Sequence, residues 1–221
     1  MDYEQEDYAE RWATILTSSP DLATFSVTFT GPSGLGEVDV SSLVTTLGDQ
    51  FTRPNLHTFC IRGYPAEDWR PFFDRPTSEV HPLRAFFGRH PKIEDLALAY
   101  EYDVALSSRY AVSPAGVSRL FPSLRRFEGP DLLIRAILLS PLASQLETLV
   151  TVDSELTDYK FSLGGISDSA ALMPRLRELL IRAHSGYVDT LRPRHTISVR
   201  HLPTHQDALI AKFETKPYYT C

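Results

Sequence analysis

One short unit recurs along this chain, and a chain built on it can only stack copies of a single supersecondary element. Its clearest copies flank a helix-sized segment. Leu124-x-x-Phe127 stands behind Pro122, and Leu146-x-x-Leu149 stands behind Pro141. Between them, Asp131 to Ser140 is apolar at nearly every position except Arg135, with Pro130 and Pro141 as brackets. Asp131 can accept from the free N–H groups of a first helical turn, and Pro141 cannot donate to a helix ladder, so a helix is expected between the two prolines. Strand-sized piece, helix, strand-sized piece is the grammar of a solenoid.

The same unit appears in both directions as Pro20-Asp-Leu22-x-x-Phe25-x-Val27, Pro54-x-Leu56-x-x-Phe59-x-Ile61, Pro91-x-Ile93-x-x-Leu96-x-Leu98 and Pro174-x-Leu176-x-x-Leu179-x-Ile181. The template is Pro-x-[Leu/Ile]-x-x-[Leu/Phe]-x-[Ile/Leu/Val]. Two copies depart from it, with Gly129 in the last place of one and Thr151 in the last place of the other, whose proline is also displaced. Its anchors at 22, 56, 93, 124, 146 and 176 give steps of 34, 37, 31, 22 and 30, an irregularity that insertions on one face of a solenoid accommodate.

The last two apolar positions are two apart, so both point to one side of an extended chain. Stacked in parallel, such strands would turn a second set of residues to an open face: Thr58, Cys60, Arg62, Asp95, Arg126, Glu128, Thr148, Glu178 and Arg182. Met173 to Ala183 also carries Leu176, Leu179, Leu180 and Ala183 at helical spacing, so helix and strand both stay open there. Amphipathic limbs are expected at Asp39–Phe51, where Gly48 weakens a helix, at His81–His90, at Pro114–Phe121 and, shorter, at Ser167–Met173.

The architecture expected is α/β, a curved right-handed solenoid with irregular repeats of short parallel strands plus helices. It forms one domain over 1–221, with units near 12–38, 39–79, 80–113, 114–130, 131–166 and 167–186. Residues 187–221 then form a C-terminal cap or tail, with a last strand at Thr196–Arg200 as the alternative to a cap.

The four segments HPKIEDLAL (90–98), LFPSLRRFEGP (120–130), SPLASQLETLVTVD (140–153) and MPRLRELLI (173–181) resemble the leucine-rich repeats of fungal F-box proteins, in particular the ribonuclease-inhibitor-like repeats of basidiomycete-type members. The F-box itself is not visible, and Asn55 is the only asparagine, so no asparagine ladder can form. The resemblance implies a non-catalytic protein-recognition module, the substrate-binding part of an F-box-like protein. A Skp1-like adaptor is an implied partner only where an F-box accompanies the repeats. A stand-alone repeat adaptor or scaffold without a ubiquitin-ligase link is the alternative, and an enzyme with an unrecognised site is a third.

Composition narrows the partners. With 22 basic and 28 acidic residues, net −6, nucleic acid and anionic membrane are not expected, and an unidentified protein is. Cys60 and Cys221 are the only cysteines, which fits a reducing compartment, cytoplasmic or nuclear. No apolar run approaches the ~18 residues of a membrane span, and the acidic start MDYEQEDYAERW is unlike a signal peptide.

Motifs for chemistry are sparse, and no catalytic residue, cofactor or metal site is assigned. Gly31 to Glu37 looks briefly like a phosphate loop, but Glu37 and Val38 stand where lysine and a hydroxyl are needed. His201 and His205 have a metal-ligand spacing that Pro203 makes unhelical. Cys60 and His57, three apart on a strand, point to opposite faces and cannot pair as nucleophile and base. His57, His81 and His90 are expected to be surface or internally satisfied. Trp69, Phe72, Phe73, Tyr100 and Tyr102 are of the types that anchor interfaces, although loop packing suits the first three better.

Overall fold

In the computed structural model the residues described are 8–28, 40–62, 81–98, 112–153, 172–183, 195–201 and 209–215. Strands and helices alternate: α1 (Tyr8–Thr17), β1 (Thr24–Thr28), α2 (Val40–Leu47), β2 (Thr58–Arg62), α3 (Pro82–Arg89), β3 (Asp95–Ala97), α4 (Pro114–Leu120), β4 (Arg126–Pro130), α5 (Asp131–Leu138), a 3-10 turn (Pro141–Gln145), β5 (Thr148–Asp153), β6 (Glu178–Ala183), β7 (His195–His201) and β8 (Leu209–Thr215). The fold is α/β around one open sheet whose strands lie side by side in chain order. The first six are parallel, and β7 and β8 close the end antiparallel. Each helix up to α5 packs on the next, so the helices form a second layer beside the sheet.

The recurring proline has a local cause. In five units it is the second residue of a four-residue turn closed by the anchor: Leu22 N–H to Ser19 O, Leu56 to Arg53, Ile93 to His90, Leu124 to Phe121 and Leu176 to Met173, all between 3.0 and 3.2 Å. Proline presets the φ that this position needs. The fifth unit, lacking proline there, makes the same bond from Leu146 to Ala143 at 3.4 Å as the end of its 3-10 turn. Pro141 thus starts a turn, with Ser140 Oγ accepting from Leu142 N–H at 3.2 Å, immediately after α5 ends.

From each turn the chain enters a strand through one shared carbonyl. Ala23 O accepts from both His57 N–H and Thr58 N–H, and His57 O accepts from Glu94 and Asp95. Glu94 O, Arg125 O and Glu147 O do the same for the following units. A carbonyl has two lone pairs, and here both are used to lock adjacent units. The strand register is therefore constant, with Phe25, Phe59, Leu96, Phe127, Leu149 and Leu179 in one row. All six face the helices and are buried.

Aromatic rings thread the first four units. Trp12 meets Phe25 edge-on at 6.0 Å, Phe25 meets Phe59 at 5.4 Å, Phe59 meets Phe86 and Phe87 at 5.4 Å each, and Phe87 meets Phe121 at 4.9 Å. These are the tilted and edge-to-face geometries that ring quadrupoles favour.

Several expectations are corrected. The limb over 39–51 stops at Leu47, because Gly48 takes φ 78° and ends α2, so Phe51 belongs to the turn that follows. The ambiguous segment 173–183 resolves into a turn followed by β6, since register with β5 supplies the hydrogen bonds that a lone short helix would have to make alone. The last strand runs from His195 to His201 and is joined by β8, which the sequence reading had not anticipated; nor had it anticipated α1. Ser167–Met173 lies outside the described residues up to 171.

Gly129 shows why one copy breaks the template. A Cβ there would sit 2.5 Å from Phe127 Cζ, so the ring of Phe127 already occupies the space of the missing third apolar side chain. Gly129→Val should cost about 1–3 kcal/mol through overpacking, read as a lower urea midpoint. Combining it with Phe127→Leu, which removes the ring atoms that occupy that space, should recover part of that loss.

His90 is 2 % exposed and joins two units. Its Nε2 lies 3.0 Å from Arg53 N, whose N–H can only donate, so Nδ1 carries the proton and donates to Phe86 O at 2.7 Å. Burial pushes its pKa below the ordinary value of 6.5, and Arg89 and Arg53 add to the shift. Above that value the ring is neutral folded and unfolded alike. As pH falls the unfolded chain takes up the proton first, so stability is lost on the acid side. The urea midpoint should therefore drop between about pH 7.5 and about pH 5.5, and the drop should shrink in His90→Gln.

Candidate functional site

The sheet face turned away from the helices carries three rows of side chains, fixed by the parallel register. The first is Thr24, Thr58, Asp95, Arg126, Thr148 and Glu178; the second is Ser26, Cys60, Ala97, Glu128, Val150 and Leu180. Arg62 lies opposite Thr28 in the third. Arg182 lies opposite Val152 on β5 and Thr196 on β7, and its side chain is outside the described residues. The nine residues assigned from sequence therefore do share one sheet in register.

Charge is paired across this face, and the pairs span strands. Arg62 on β2 reaches over Ala97 of β3 to Glu128 on β4, with Nε 2.9 Å from Oε2. Neighbouring parallel strands are ~4.8 Å apart, so only a long side chain crossing a small residue can make this span. Arg126 repeats the device: its Nη1 is 4.0 Å from Glu178 Oε2 across Thr148, while its Nε approaches Asp95 Oδ1 at 3.4 Å without hydrogen-bond alignment. Burial acts to lower the Arg62 pKa, but the hydrogen bond and charge of Glu128, joined by the charges of Cys60 and Asp95, together raise it. Burial pushes Asp95 above its usual carboxylate value, with Arg126 and Arg62 opposing the shift.

The face is less open than the sequence implied. Cys60 and Glu128 are 2 % exposed, and Ala97 and Val150 are fully buried. Arg62 lies along the sheet rather than projecting from it, which accounts for Ala97 and Glu128. The described residues give no account of Val150. What remains accessible is the first row, where Thr24 is exposed and Thr58, Asp95, Arg126, Thr148 and Glu178 are all half-exposed, together with Ser26, Thr28 and Arg62 at one end and Leu180 at the other.

A second charged row was missed from sequence. One residue before each strand stand Glu94, Arg125, Glu147 and Arg177, with sign alternating unit by unit. Arg125 lies 3.9 Å from Glu94 and 3.1 Å from Glu147, and Arg177 lies 4.0 Å from Glu147. These pairs are largely exposed and each is worth at most about 1 kcal/mol, but they place opposite charges on each neighbouring pair of strands from β3 to β6. Aligning the copies on the residue after each anchor displays the alternation.

Cys60 is built for inertness. Its Sγ is 3.7 Å from Asp95 Oδ1, and burial, then the Asp95 charge, push its thiol up to about 11. A nucleophilic cysteine needs the opposite shift, because the thiolate is the reactive form. His57 is not its partner; the His57 carbonyl serves the backbone ladder. His81 caps α3, its Nδ1 accepting from Leu83 N–H at 3.3 Å. His201 ends a strand, so the helical His201–His205 pairing does not arise, and His205 lies outside the described residues. Trp69, Phe72, Phe73, Tyr100, Tyr102 and the loop 31–37 also lie outside them. Among the described residues no group of three or more His, Cys, Asp or Glu could hold a metal ion, and no helix is long and apolar enough to cross a membrane.

No family model, no curated protein and no solved structure matches the chain.

Treating the native protein with iodoacetamide should leave the Cys60 peptide unmodified by mass spectrometry at neutral pH, and denaturant should release it. Rapid alkylation of the folded protein would contradict the burial and protonation described.

Proposed function

We propose that this chain is a leucine-rich-repeat-type solenoid that recognises a protein partner through its strand face, without catalysis. The observation that carries the reading is the first row, in which six units present Thr24, Thr58, Asp95, Arg126, Thr148 and Glu178 side by side at constant spacing. These side chains can change without disturbing the buried row beside them, which is how repeat surfaces acquire specificity. The internal pairing of Asp95, Arg126 and Glu178 holds their charges in fixed places. A partner that meets such preset charges pays less ordering cost, and mismatched partners meet like charge. The inert Cys60 supports a non-catalytic reading of the same face. The F-box resemblance makes the partner a substrate of a ubiquitin ligase; a stand-alone adaptor would use the same surface.

Thr58→Arg tests the face while leaving in place the Arg62–Glu128 and Arg126–Glu178 pairs. The new guanidinium would stand opposite the Asp95 carboxylate of the next strand, so the fold should tolerate it. Proteins retained by the wild type from a lysate and lost by this variant, with unchanged circular dichroism, are the expected result. An adaptor of the F-box-binding type among the retained proteins would favour the ubiquitin-ligase branch. Identical capture by the two proteins would move recognition off this face.

A further inference from the structure

The parallel ladder has an unused end. In units two to six, the two amides that open each strand donate to one carbonyl of the preceding unit, as His57 and Thr58 do to Ala23. The equivalent amides of the first unit are Ala23 and Thr24. Among the described residues neither has an acceptor, and β1 pairs only with β2. Two-residue alternation places the N–H groups of Ser26 and Thr28 on the same outer edge as that of Thr24.

The side chains of this unit are also incompletely covered. Phe25 is 7 % exposed where Phe59, Leu96, Phe127 and Leu149 are at most 1 %. Leu22 and Val27 are half-buried where Leu56 and Ile61 are 2 % exposed, and Ile15 on α1 is 51 % exposed. Nothing in β1 guards the edge: Thr-Phe-Ser-Val-Thr has neither charge nor proline, whereas the strand at the other edge, β8, contains Lys212 and Glu214.

We infer that the outer edge of β1 is a strand-addition site for an extended segment of a partner protein, running parallel to β1. The segment would bring a carbonyl to Ala23 and Thr24 and an apolar residue into the row of Phe25, with small polar residues beside Thr24 and Ser26. Parallel orientation follows from the two adjacent donors. A parallel neighbour meets both with one carbonyl at every other junction of this sheet, whereas antiparallel pairing, as in a twofold dimer of β1 edges, serves alternate residues and leaves Ala23 unmet. This inference is independent of the strand-face reading.

The test uses the full chain and a labelled synthetic peptide of residues 53–62 carrying Cys60→Ser, a copy of the unit that such a segment would imitate. Ser26→Pro removes an outward N–H without touching the β1–β2 ladder, a place where an edge strand tolerates proline. Ser26→Lys adds the charge that guards natural edges, and carries the test alone if Ser26→Pro lowers the urea midpoint. The peptide should bind the wild type and slow hydrogen exchange at Thr24, Ser26 and Thr28. It should bind Ser26→Pro about tenfold more weakly, the loss of one hydrogen bond, and Ser26→Lys more weakly than the wild type through the added charge. Absence of binding to the wild type, or equal binding by all three proteins, overturns the inference. So does concentration-dependent dimerisation of the wild type that Ser26→Pro abolishes, because the edge would then belong to a second copy.

Discussion

The sheet depends on one carbonyl per unit. Ala23, His57, Glu94, Arg125 and Glu147 each accept from two consecutive amides of the next unit, at 2.7 to 3.2 Å. This junction sets register before any side chain is considered, because a slip by one residue would break both bonds at once and turn each apolar row to the wrong face. It also explains the prolines. A turn with a preset φ delivers the chain to the junction in one direction, so the unordered segment loses less entropy on docking. With a single asparagine in the chain, no asparagine ladder can serve this purpose, and backbone geometry does the work here.

Around that junction the side chains divide by row. The row of Phe25, Phe59, Leu96, Phe127, Leu149 and Leu179 changes only between leucine and phenylalanine, and two of the three phenylalanines are matched by a local arrangement. Phe127 is matched by Gly129, and Phe59 by the rings of Phe86 and Phe87 packed around it. The row on the other face varies through hydroxyl, acid and base. Its charges are accommodated by spanning: Arg62 crosses Ala97, and Arg126 crosses Thr148. Small residues at 97 and 148 are thus as much a part of the ion pairs as the charges themselves.

Much of this was legible in the sequence, and the limits are instructive. The template located all six parallel strands and their register because it records backbone requirements: a turn proline, an anchor three residues from the next apolar position, and alternation after it. It assigned the nine face residues to one sheet for the same reason. It misjudged exposure at Cys60 and Glu128; at Glu128 the Arg62 side chain lies across the sheet, which spacing does not encode. It missed α1, whose apolar set of Trp12, Ala13 and Leu16 covers barely one turn, and β8, which lies beyond the last copy of the template. The alternating Glu94, Arg125, Glu147 and Arg177 were visible only once each residue was seen relative to its own anchor.

The same division bears on what the face can do. Catalysis needs titratable groups left poised, with a base free to take a proton or a thiol held as thiolate. Here Cys60 is held protonated by burial and by Asp95. His90 has both ring nitrogens committed to the backbone of neighbouring units, and Glu128 is bound to Arg62. Each of these three groups is already engaged by a neighbour. Fixed charges at a constant repeat distance suit recognition, where specificity comes from the difference between a partner that matches the pattern and one that leaves a charge unmet. On the reading proposed above, what this face offers a partner is a pattern of charges paired across strands.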